Sequence, residues 1–514
     1  MISSVTRRLL FALCVTVACA VMAAAQDAGQ VLRVSVGFNT LRNTLKDSAE
    51  LTPEKLAEVD RLGQMAQAAA AEKRYEDALK HYYQGLALMQ NQPWTPWRAM
   101  SSALRLKIDR AVLEPNQSAS IRLWQIFALD QKPEGKLSGT VALLKASSST
   151  PVSVLKTLEG VEPDFMTNAA AMEIRAPEIE DGNYKLEVKL KATEGDPIVR
   201  TIAVRIERGL ASQVAAAKAR VEKIKAALGA KKQDELLASA EYRVALFDLA
   251  SASEINFERI NFREQLNEAN AMLDELEAGR DPFAARRGDF KKAYRSKVDN
   301  TLQPYRVFVP ASYDRAKAHP LVVALHGMGG DENSYFDSYK DGAFKVEAER
   351  RGYIVACPKG REPASMYLGA AEQDVLDVIA EVRRAYNVDA DRIYVTGHSM
   401  GGFGSWSIAM SRPELFAAIA PIAGGGNPIG MKKIAHIPQL VVHGDNDKTV
   451  PVERSRMMVT AGKSAGAEIK YLEIPGGNHI DVAAATFKDV FDWFDAHRRK
   501  SADAKAAAGG AKTN

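Results

Sequence analysis

The chain has 514 residues, enough for two to four domains of ordinary size. With 46% hydrophobic and 26% charged residues it sits at globular averages, which excludes wholesale disorder and a polytopic membrane protein. The net charge of +4 is carried by the two ends, through Arg7 and Arg8 and through Arg498, Arg499, Lys500, Lys505 and Lys512. The body is therefore slightly acidic, and the basic balance reports a tail rather than a nucleic-acid-binding face. Three cysteines, two of them near the start, cannot form a disulfide framework.

Met1–Arg8 is a short basic start and Leu9–Ala25 an uncharged apolar run ending in Ala23-Ala24-Ala25. That pattern predicts a secretory signal over 1–25, cleaved near Ala25, and an exported protein, periplasmic or secreted. Two competing readings are an uncleaved anchor, for which 17 residues is the lower length limit, and a lipoprotein acylated at Cys19, which Thr16 argues against. No later run is long and apolar enough to span a bilayer.

Residues 26–104 read as a helical region. Between Thr52 and Gln90, Ala78, Leu79, Tyr82 and Leu86 recur at helical spacing, resembling a single tetratricopeptide-like hairpin without a second copy. Over 105–208 the period changes to two. Tyr184/Leu186/Val188/Leu190 and Ile202/Val204/Ile206 alternate with polar neighbours, which predicts a small β-sandwich. Its aromatic residues, Trp124, Phe165 and Tyr184, are either a carbohydrate- or protein-binding surface or core. Residues 209–290 return to helical spacing through Leu210, Val214, Val221, Ile224 and Leu228 and read as a connector. Over 291–500 short apolar runs alternate with amphipathic segments, the pattern of a mostly parallel sheet covered by helices on both faces. Residues 501–514, rich in Ala, Gly and Lys, read as a disordered basic tail.

The chemistry-bearing residues fall at the ends of those apolar runs. Gly397-His398-Ser399-Met400-Gly401 follows the strand Arg392–Thr396 and precedes a helix expected to begin near Phe403. Small residues two before and two after a serine permit a sharp strand-to-helix turn that exposes its hydroxyl. A hydroxyl nucleophile needs a base, and the base needs an orienting carboxylate. His479, after the run Tyr471–Ile474, supplies the first, and Asp447, after Gln439–His443, the second, with Asp445 as the competing acid. His326-Gly327-Met328-Gly329-Gly330 ends another strand, so the Met328 and Met400 N–H groups are the expected oxyanion hole. His398 and His443 are read as supports of the turns, and Cys357 as buried. The spacing of Asp445 and Asp447 lacks the glycine of a calcium loop, so no metal is expected.

Four segments, Tyr305–Pro310, His326–Gly330, Asp391–Gly402 and His443–Pro451, resemble the esterase and predicted-peptidase branch of the α/β-hydrolase superfamily. Its members include feruloyl and acetylxylan esterases, polyhydroxyalkanoate depolymerases and, more distantly, prolyl oligopeptidases. The resemblance covers about Arg287 to Arg498. It implies a C-terminal α/β-hydrolase domain, preceded by the helical hairpin, the all-β sandwich and the helical connector. It also implies acyl transfer through Ser399, His479 and Asp447 on small-molecule or polymer-linked esters, without a cofactor. Ile480 follows His479 where many members carry an aromatic residue, and no upstream repeat suggests a propeller. Arg361, Tyr367 and Asp374 align with a stretch that implies substrate contact or support of the nucleophile turn, with His326 and His398 in the same class. Peptide cleavage by the same triad, and a scaffold with a decayed hydrolase domain, remain the alternative functions.

Overall fold

The computed structural model describes residues 28–48, 50–192, 196–229, 236–251 and 260–499. The expected signal segment and the expected disordered tail lie outside the described residues. The chain divides into two compact units, one comprising residues up to Gly229 with Ala240–Arg280, the other Ala230–Ser239 with everything from Asp281.

The first unit opens with helices at 28–45, Pro53–Ala71 and Tyr75–Met89. Thr52 caps the second by accepting the Lys55 N–H, with Pro53 at the first helical position, where its missing N–H is not needed. The hairpin expected from the sequence thus gains a third partner. The Phe38 ring of the first helix seats against Gly63 and Gly85, where an added Cβ would come within 3.0 and 2.4 Å of it. The strands that follow are β1 (Leu104–Ile108), β2 (Val112–Leu113), β3 (Ser118–Gln125), β4 (Leu137–Lys145), β5 (Pro151–Val161), β6 (Ala170–Arg175), β7 (Gly182–Lys191) and β8 (Ile198–Ile206). They form a three-stranded sheet, β1-β3-β6, and a five-stranded sheet, β2-β8-β7-β4-β5. Tyr184, Leu186, Val188 and Leu190 are all buried, as the period of two requires. Phe165 and Tyr184 belong to that core, so they are not available as an aromatic binding surface. The helix Leu210–Ala227 buries the expected stripe of Leu210, Val214, Val221 and Ile224.

The second unit is built on one eight-stranded sheet. Its strands are β9 (Gly288–Arg295), β10 (Leu302–Val309), β11 (His319–Leu325), β12 (Ile354–Pro358), β13 (Val388–His398), β14 (Ala418–Ile422), β15 (Gln439–Gly444) and β16 (Ile469–Ile474). The order is β9-β10-β12-β11-β13-β14-β15-β16, with β10 antiparallel to both neighbours and every pairing from β12 to β16 parallel. Strands β11, β12, β14 and β15 are buried at every residue, which explains their uninterrupted apolar sequences. One face packs on Phe344, Phe487, Phe491 and Phe494 from the helices Ala343–Arg351 and Phe487–Ala496. In a sheet of this kind the loops beyond the carboxyl ends of the parallel strands gather at one rim. The glycine loop after β11, the serine turn after β13, the acidic loop after β15 and the His479 loop after β16 all leave from those ends.

Candidate active site

Ser399 joins β13 to the helix Met400–Ser411 in a single residue, with φ 58° and ψ −118°. Side chains avoid this conformation and glycine favours it. The helix therefore begins at Met400, three residues before the position expected from sequence. Two glycines make the turn possible. An added Cβ on Gly397 would lie 2.3 Å from the Gly401 carbonyl oxygen, and one on Gly401 would lie 1.9 Å from the Leu325 carbonyl oxygen. The Ser399 N–H donates to the Ile422 carbonyl at 2.9 Å, fixing the turn to β14.

Residues far apart in sequence meet here. His479 Nε2 is 2.9 Å from Ser399 Oγ, and His479 Nδ1 is 2.6 Å from Asp447 Oδ2. The carboxylate accepts the Thr449 and Val450 N–H groups on its other oxygen, at 2.8 and 2.9 Å, so the side chain has one orientation. With Nδ1–H donated to Asp447, Nε2 is left as the acceptor for the serine proton. Burial opposes ionisation of Asp447, but hydrogen bonds from His443 and His479 hold its carboxyl well below the usual carboxylate range. Asp445, the competing acid, is exposed and instead accepts the Gly476 N–H at 2.7 Å.

The glycine loop lies against the serine turn, with Gly327 so placed that an added Cβ would be 3.4 Å from Ser399 Cβ. Among the described residues no backbone bond is recorded from the Met328 or Met400 N–H group. His326 is buried behind this loop, its ring nitrogens 2.8 Å from the Gly327 carbonyl and 2.6 Å from the Lys359 carbonyl. Both contacts tie the ring to the backbone of the loops after β11 and β12.

Of the two roles expected for Tyr367 and Asp374, substrate contact or support of the nucleophile turn, their burial favours the second. Tyr367 is fully enclosed against Gly404 and Gly360, and its hydroxyl donates to the His326 carbonyl at 3.3 Å. Asp374 is paired with Arg361, whose Nη2 donates to Oδ1 at 2.9 Å. Arg361 Nε is 2.6 Å from Oδ2 but too far off line for a directed bond. Burial raises the Asp374 carboxyl, more than the guanidinium beside it lowers it. Tyr367 thus packs against the helix Met400–Ser411 that follows the serine turn. Cys357 is also buried, which pushes its thiol far up.

Two histidines read as supports are both inside. His443 Nδ1 is 2.7 Å from Ser455 Oγ, and its Nε2 is 2.9 Å from the Val450 carbonyl and 3.2 Å from Asp447 Oδ2. His398 Nε2 is 2.6 Å from the His479 carbonyl, and its Nδ1 is 2.8 Å from the Tyr339 hydroxyl. Sequence reasoning missed Tyr339 and Ser455, since no motif or periodicity marks either.

A PET hydrolase-like family profile matches residues 365–493, which include the serine turn, the acidic loop and the His479 loop. The chain is 32% identical over 145 residues to a bifunctional acetylxylan esterase/xylanase of Neocallimastix patriciarum, covering 27% of this chain and 21% of that protein. The match thus spans about a fifth of that relative's length. It is 29% identical over 188 residues to a protein described as "Probable feruloyl esterase C" of Aspergillus oryzae, covering 35% of this chain and 68% of the relative. Among solved structures, a thermostable esterase aligns at 18% identity and a TM-score of 0.37, over 77% of this chain and all of that one. On its strand order and serine turn the C-terminal domain has an α/β-hydrolase fold, and its sequence over the site region is similar to those of esterases.

Proposed function

We propose that the protein is an exported serine hydrolase that cleaves carboxylic esters by acyl transfer. The observation that carries this reading is the continuous chain of hydrogen bonds from Ser399 Oγ through His479 to Asp447, at 2.9 and 2.6 Å. Ser399 attacks the ester carbonyl while His479 Nε2 takes its proton. The charge that develops on the carbonyl oxygen is met by the Met328 and Met400 N–H groups, and removing one such donor typically costs about 10²–10³-fold in rate. His479 then returns the proton to the departing alcohol oxygen. Water, activated by the same imidazole, releases the acid and restores Ser399. Asp447 holds the imidazole tautomer throughout and stabilises imidazolium without itself taking the proton. Export rests on the 1–25 segment.

Two measurements test the reading. A fluorophosphonate probe should label the wild-type chain at Ser399 and leave Ser399→Ala unlabelled. p-Nitrophenyl acyl esters should turn over, with peptide anilides turned over far more slowly; the reverse order would transfer the triad to peptide cleavage. An unlabelled wild type with no turnover of either would leave only the decayed-scaffold alternative.

A further inference from the structure

His398 stands beside the proposed nucleophile in the same turn, its ring centroid 4.8 Å from that of His479, yet its nitrogens bond to neither the Ser399 hydroxyl nor the His479 ring. Its Nε2 faces the carbonyl of His479, and its Nδ1 faces the hydroxyl of Tyr339, both within hydrogen-bond distance. The three residues come from three separate segments: the end of β13, the loop after β16, and the short stretch between the glycine loop and the helix Ala343–Arg351. A carbonyl oxygen can only accept, so His398 Nε2 carries a proton. A neutral imidazole has one N–H, so Nδ1 accepts and the Tyr339 hydroxyl donates.

The protonation states support that assignment. Burial lowers the His398 imidazole to about 4, and neighbouring His479 and His443 add to the shift while Asp447 and the His479 carbonyl oppose it. Burial pushes the Tyr339 hydroxyl up, so it remains a donor. The Tyr339 ring is held edge-on to His398 and to Phe487, with centroids 5.7 Å from each. Its position is thus set by packing that does not depend on the hydroxyl.

We propose that Tyr339 is a positioning residue that locks His398 in its Nε2–H tautomer, and that His398 thereby ties the backbone of the His479 loop to the serine turn. The proposal rests on the Ser399–His479–Asp447 reading. Without the lock, His398 can move its proton to Nδ1. The Nε2 lone pair then faces the His479 carbonyl oxygen, two acceptors repel, and the loop that carries the base is released. Small displacements of a base are costly, since about 1 Å of misplacement can reduce rate about 10²-fold.

The test combines kinetics with ¹⁵N spectra of histidine-labelled full-length protein. In wild type between pH 6 and 8, His398 should show a protonated Nε2 and a bare Nδ1. Tyr339→Phe should populate both tautomers and reduce kcat about ten-fold at unchanged KM. His398→Gln, which keeps an amide donor for the His479 carbonyl, should retain more kcat than His398→Leu. A wild-type proton on Nδ1, or a Tyr339→Phe protein with wild-type kcat and a single tautomer, overturns the lock. Equal kcat for the folded Gln and Leu variants overturns the tether. If His398→Leu does not fold, the comparison of Gln and Tyr339→Phe with wild type decides alone. Fluorophosphonate labelling separates the two levels. An unlabelled wild type sinks the triad reading, whereas a labelled wild type with unaffected variants sinks only the tether.

Discussion

Replacing Ser399 with glycine should stabilise the C-terminal unit relative to replacing it with alanine, although both remove the proposed nucleophile. Both substitutions lose the same hydroxyl and its bond to His479, so their difference isolates the backbone. With φ 58° and ψ −118°, any side chain at this position is held in a region worth about 1–3 kcal/mol of strain. Glycine relieves it, at the cost of about 0.4–1 kcal/mol from its greater freedom when unfolded. The net gain of Gly over Ala is about 1 kcal/mol, which for a unit of this size raises its melting point by about 2–4 °C. Scanning calorimetry of the full chain measures the shift, and hydrogen exchange of the β13 amides assigns the transition to the right unit. A Ser399→Gly protein melting at or below Ser399→Ala would refute the claim that the turn stores strain to present the hydroxyl.

Asp447→Asn should lower kcat about 10⁴-fold with KM little changed, because the amide can donate to His479 Nδ1 and so favours the wrong tautomer; steady-state kinetics on an aryl ester would read it. His398, with a folded pKa near 4 against an ordinary value near 6.5, makes the unfolded chain the stronger proton binder between those limits. Stability should therefore fall by about 2–3 kcal/mol as pH drops from 6.5 to 4, and urea titrations of His398→Gln should lack this part of the slope. Arg361→Met leaves the Asp374 carboxylate buried and unpaired, and should cost about 3–5 kcal/mol by the same titration. Arg361→Met with Asp374→Leu should recover much of that loss; a double variant no more stable than the single would show that the charge was not the cause.

Much of the second unit was legible because burial on both faces leaves a direct trace. Strands enclosed by helices carry unbroken apolar runs, and each run that mattered ended in a glycine-rich or acidic loop. Edge and partly covered strands were harder to delimit. β16 begins at Ile469, two residues before the run Tyr471–Ile474 suggested, since a half-exposed strand tolerates Lys470. The helix at 28–45 falls within the region read as helical, but the spacing of Val31, Val34, Phe38, Leu41 and Leu45 that defines its face was not singled out. Val36 and Gly37 are residues of poor helical propensity within that segment, and the slot for Phe38 is made by Gly63 and Gly85, which local reading does not connect to it.

The site divides along the same physical line. The proposed triad of Ser399, Asp447 and His479 could be picked from sequence because each sits where its backbone must be special: a turn that admits only small neighbours, a loop leaving a buried strand, a glycine pair before a helix. The residues that hold them were not, because their roles follow from convergence in space. Tyr367 lies in a loop with φ 54° that folds it inward against Gly404, so sequence alone left open whether it meets substrate or supports the turn. Tyr339 stands in a stretch without periodicity, and its value arises only when β13 and the loop after β16 bring His398 and the His479 carbonyl to it. Local sequence therefore specifies which side chains can do the chemistry. The tolerance with which they are held is set by buried, neutral hydrogen-bonding groups contributed by other segments, and such groups have no local pattern because their partners are distant in the chain.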